Sequence, residues 1–144
     1  MKILCALLLL ASFGPGQIDV RYRVLRIERS DTSSDPWNRV GCAVSIANSV
    51  DVDTLKKVVC AVIQRENLNK YRSILISVYY GIAQLQDSPV DPVIPRDARH
   101  LIGVYNWNPS ISPVGKLLVA LDQKGHAIED GRLTIEFSHK NDCR

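Results

Sequence analysis

Two neighbouring stretches decide the fold: "NSVDVDTLKKVVCAVIQREN" (residues 48–67) and "YRSILISVYYGI" (71–82). In the first, Leu55, Val58, Val59, Val62 and Ile63 recur at helical spacing and make one broad apolar face. Lys56, Lys57 and Gln64 point elsewhere. Asp51 or Asp53 can cap the start, where a carboxylate also suits the positive end of the helix dipole. A helix over 52–66 follows. In the second stretch the period drops to two. Ile74, Ile76, Val78 and Tyr80 line one face, and Ser73, Leu75, Ser77 and Tyr79 the other. Apolar residues on both faces place this strand centrally in a sheet.

Outward from this pair, residues 39–47, "RVGCAVSIA", alternate with Val40, Cys42, Val44 and Ile46 on one face. Residues 18–29, "IDVRYRVLRIER", also alternate, but the phase slips one residue at Val24-Leu25, the mark of a bulge. Three more strands are expected at 101–107, 116–122 and 132–138. Between 84 and 100 lies "QLQDSPVDPVIPRDARH", whose prolines at 89, 92 and 95 cannot donate to a sheet ladder. The order β-β-α-β-β-β-β implies an α+β fold, with one main helix on a mostly antiparallel sheet of five or six strands. The strands flanking the helix can run parallel, either adjacent or split by another strand.

The opening "MKILCALLLLASFGPGQ" has the layout of a secretory signal: Lys2, an apolar run from Ile3 to Ala11, then small and helix-breaking residues. That run is too short to span a bilayer, which needs about 20 residues. Residues 1–16 are therefore read as a signal peptide and 17–144 as a single exported α+β domain, periplasmic or extracellular. Gly14 and Gly16 favour a cut before Gln17. Cys5 leaves with the signal. Cys42, Cys60 and Cys143 remain, which allows one disulfide and one free thiol. Cys42 alternates with core residues, whereas Cys60 sits on the helix flank and Cys143 in the tail. The expected pair is Cys60–Cys143, with Cys60 less buried than Cys42.

Catalytic and metal signatures are absent from the sequence. The cysteines form no C-x-x-C, and His100, His126 and His139 form no H-E-x-x-H. There is no Walker A loop, G-x-G-x-x-G or G-x-S-x-G. No cofactor and no metal is expected. The net charge of +3 falls to +2 without Lys2, too little to suggest a nucleic-acid partner. After signal removal no stable membrane span is expected. Arg21, Arg23 and Arg39 read as a solvated basic face.

The segment "ARHLIGVYNWNPSIS" (98–112) carries the recognition candidates His100, Tyr105, Asn106, Trp107 and Asn108. Tyr and Trp join a rigid apolar body to a polar tip, as binding surfaces favour. The plainer reading is that Tyr105 and Trp107, two apart on a strand, pack on one sheet face. The leading function is a small exported, non-enzymatic binding module for a protein or envelope component. One alternative is a hydrolase using His100 or Cys42; another is an inhibitor or immunity-type protein.

The run "VDVDTLKKVVCAVIQREN…KYRSILISVYYGI…LIGVYNWNPSIS" resembles an uncharacterised family of short bacterial exported proteins. The resemblance covers about residues 37–121 and rests on Tyr71, Ile74, Ile76, Tyr79, Trp107 and Pro109. It implies export and a helix-on-sheet fold, and it carries no catalytic residues. The signal reading has a direct test: intact mass of the exported protein should place its first residue near Gln17, and a secreted chain still starting at Met1 refutes it.

Overall fold

A computed structural model describes residues 20–30, 38–47, 51–82, 100–119 and 133–144. The expected signal segment with Cys5, the proline-rich connection through residue 99, His126 and the end of the fifth strand lie outside the described residues.

Six strands form one sheet in chain order: β1 (Arg23–Arg29), β2 (Arg39–Ile46), β3 (Ser73–Tyr80), β4 (Leu101–Trp107), β5 (Lys116–Val119) and β6 (Leu133–Glu136). The main helix α1 (Val52–Arg65) joins β2 to β3, and these two strands lie side by side and parallel. Every other neighbouring pair is antiparallel. The fold is α+β, with the helix crossover settling the parallel pair as adjacent.

Alternation places one residue from each strand in a row beneath α1: Ile27, Cys42, Ile76, Tyr105, Leu117 and Ile135. The phase slip in β1 is a real bulge. Val24 pairs with Val44 and Arg26 with Ala43, so Leu25 is the extra residue. The bulge turns both Val24 and Ile27 to the helix side although they are three apart.

Asp51 caps α1 by accepting a hydrogen bond from the Thr54 amide at 2.7 Å. That bond holds its carboxyl below the usual value. The helix ends where Asn67 adopts a left-handed conformation, φ 54°, which asparagine tolerates better than most residues. Leu55, Val58, Val59, Val62 and Ile63 are buried, as their spacing requires. Helix and sheet approach closely at Gly103, where a Cβ would stand 2.6 Å from a Leu55 methyl.

A short helical turn, α2 (His139–Asp142), closes the chain against the last turns of α1. There Cys143 joins Cys60 in a disulfide, and among the described residues Cys42 is the free, buried thiol. The bond closes a loop of 83 residues, worth about 4 kcal/mol in chain-entropy terms. One expectation is corrected: Cys60 is no more exposed than Cys42, both at 3 %. The C-terminal turn covers the flank that helix periodicity alone left open.

Two substitutions test this packing. Val62→Ala should cost about 1–3 kcal/mol through lost burial and a cavity. Gly115→Ala should destabilise as well. Its Cβ would meet the Tyr105 hydroxyl and lie 2.6 Å from the Phe137 carbonyl oxygen, a backbone atom with little room to move. Denaturant titration reads both, and unchanged midpoints would contradict the assigned core.

Candidate functional site

The five recognition candidates do not form one surface. His100 lies just before β4, its ring 5.1 Å from that of Tyr80. Asn108 lies beyond the other end of β4, roughly 25 Å away along the strand. Tyr105 and Trp107 share the helix-facing side of β4, while Asn106 is exposed on the opposite side. Tyr105 is fully buried. Trp107 is half-buried and Asn108 begins a turn.

What β4 brings together is Tyr105, Trp107 and a residue from the C-terminal turn, His139. The Tyr105 hydroxyl and His139 Nδ1 are 2.7 Å apart. Trp107 meets the same imidazole edge-on at 4.8 Å, and Lys140 Nζ lies 4.7 Å from the centre of the indole. Phe137 packs edge-on against Tyr105 at 5.5 Å. Burial pushes the Tyr105 hydroxyl up to about 12, so it keeps its proton at neutral pH. Burial, and then the Lys140 charge, push the His139 imidazole below its ordinary value.

The local sequence around His139, "SHKNDC", carries no strand or helix pattern that would mark it. The signal that could have found it is the cysteine pairing. Pinning Cys143 to Cys60 brings residues four positions earlier onto the flank of α1. Gln64 adds to the pin by donating to the Cys143 carbonyl at 2.7 Å. Asp142 closes the turn itself by accepting from the Ser138 amide at 2.6 Å.

The turn after β4 is held by its own polar groups. Ser110 N donates to Asn108 Oδ1 at 3.0 Å, and the amides of Ile111 and Ser112 both donate to the Asn108 carbonyl at 2.9 Å. The Ser112 hydroxyl donates to the Val114 carbonyl at 2.9 Å. Pro109, Ile111 and Pro113 are exposed along this turn, Ile111 at 79 %.

Cys42 sits in the core, and burial with the Glu66 carboxylate nearby pushes its thiol up to about 12. A thiol protonated at neutral pH is not an activated nucleophile. Arg23 and Arg39 lie on the sheet face away from α1, at opposite ends of β2, with Arg21 just ahead of β1. They form no tight cationic cluster. Among the described residues no group of three or more His, Cys, Asp or Glu could hold a metal ion. Among them, too, no helix is long and apolar enough to cross a membrane.

Comparison with known proteins found no matching family model, no matching curated protein and no matching solved structure. Functional reading therefore rests on the residues and their geometry.

The His139 environment sets a sign for acid stability. The fold favours neutral imidazole, whereas the unfolded chain protonates near the ordinary value of 6.5. Stability from this group is full above that value and falls as pH drops below it, until the folded protein is protonated too. The thermal midpoint should therefore decline as the pH falls below about 6.5. His139→Gln should flatten that segment, and an equal slope in the variant would contradict the assignment.

Proposed function

We propose that this chain is a small exported, non-enzymatic binding module that recognises a protein or envelope component through the turn after β4. The carrying observation is the exposed, hydrogen-bonded turn from Asn108 to Val114, with Ile111 at its tip. An apolar side chain held in one backbone geometry binds with little ordering cost. Pro109 and Pro113 restrict the same segment further. Half-buried Trp107 directly precedes the turn in the chain, and tryptophan is among the residue types that most often anchor interfaces.

The Cys60–Cys143 disulfide supports export, because such bonds persist in oxidising compartments. A protonated, buried Cys42 supports binding over hydrolysis. A photo-reactive side chain at position 111 in exporting cells should yield one discrete cross-linked product. The same probe at Leu133, another exposed apolar position, should not. With the cross-linked partner purified, Ile111→Asp should weaken binding about tenfold, or 1.4 kcal/mol. Matching smears at both positions would refute the turn as the contact.

A further inference from the structure

We propose that the pocket between the end of α1 and the C-terminal turn is an oxyanion-binding site, taking a carboxylate or a phosphate on His139 Nε2. The pocket has a volume of about 420 Å³ and is lined by Ile63, Gln64, Asn69, His139, Lys140 and Arg144, with Cys143 alongside. It is distinct from the turn at Ile111 and does not depend on that turn's role.

His139 is 4 % exposed. Its Nδ1 is taken by Tyr105, but its Nε2 is buried and, among the described residues, has no hydrogen-bond partner. Leaving such a group unsatisfied forfeits its hydration with nothing in return, and a ligand atom on it restores the missing bond.

The hydrogen bond decides what that atom must be. The Tyr105 hydroxyl keeps its proton, accepts from the His139 backbone amide and lies 2.7 Å from Nδ1. The proton therefore points at Nδ1, which accepts. A neutral imidazole then carries its own proton on Nε2, so the orphan is a donor. A donor calls for an acceptor.

Charge narrows the class. Lys140 and Arg144 bring two cations to the rim, and among the described lining residues no side chain is acidic. Asn69 and Gln64 are neutral. Gln64 is already committed to the Cys143 carbonyl, which fixes that wall rather than supplying a contact. The disulfide holds the turn that carries His139, Lys140 and Arg144 against α1, so the donor and both cations are held on one segment. An acceptor with negative charge is an oxyanion, and carboxylate and phosphate share that chemistry.

The test uses the ¹⁵N-labelled, oxidised full chain at pH 7. Sodium acetate and inorganic phosphate are titrated separately, with chloride holding ionic strength constant. Two-bond ¹H–¹⁵N spectra of the imidazoles report the His139 tautomer and Nε2 shift. The expected result is the Nε2–H tautomer, with a saturable Nε2 shift for at least one oxyanion. Saturation by acetate assigns a carboxylate ligand, and saturation by phosphate a phosphate. The Lys140→Ala/Arg144→Ala double variant changes only exposed side chains, so it should fold normally. It should lose about fivefold or more in apparent affinity, the scale of one exposed charge interaction. An Nδ1–H tautomer, no saturable shift with either anion, or unchanged affinity in the double variant would each overturn the site.

Discussion

Burial of one face of α1 organises everything else in this molecule. A helix of 14 residues is marginal alone in water, so its stability comes from what it packs on. Here that is a surface drawn from β2, β3, β4 and β5. The crossover it makes obliges β2 and β3 to run parallel, because only a long connection can return a chain to the same end of a sheet. Once that pair is set, the remaining strands add as antiparallel neighbours in chain order. Gly103 is the point of closest fit, where the missing Cβ makes room for Leu55.

The C-terminal turn depends on the same helix. Four residues are too few to hold a helical turn by themselves. The turn is instead held covalently by Cys60–Cys143 and by the Gln64 bond to the Cys143 carbonyl. Its reward is interior contact: His139 reaches Tyr105 at the middle of the sheet. Tyr105 can stand there because Gly115 leaves space for its hydroxyl end. A buried hydroxyl and a buried imidazole each need a partner, and they supply one another on one side.

Periodicity made the helix, all six strands and even the β1 bulge legible, because each buries a face with a definite repeat. The slip at Val24-Leu25 was readable since a one-residue phase change has only one simple geometric meaning in a paired strand. Face and position favoured one of three possible cysteine pairings without fixing it: Cys42 alternates into the core, leaving Cys60 and the tail. The tail's own structure was not. "SHKNDC" becomes helical and buried through contacts more than 30 residues away in sequence, with Tyr105 and with α1. No local pattern encodes those. For the same reason the candidates from His100 to Asn108 were gathered by proximity along the chain. The strand then sends Asn106 to one face and Tyr105 to the other, with His100 and Asn108 at opposite ends.

Trp107 is where the two proposed surfaces meet. It is the last residue of β4, so its backbone leads directly into the Asn108 turn that presents Ile111. Its indole packs edge-on against His139 and lies under the Lys140 ammonium. Of the pocket's recognition groups, one donor and one cation therefore rest against the side chain that precedes the turn. Close packing allows little independent movement of such neighbours. An oxyanion that draws Lys140 inward would do so at the expense of its contact with the indole face. The attraction of a cation to that face, about 0.5–1 kcal/mol at an exposed site, sets the scale of the exchange. On this geometry, Trp107 is, among the described residues, the one aromatic side chain that borders the pocket's donor and cation and also leads into the turn.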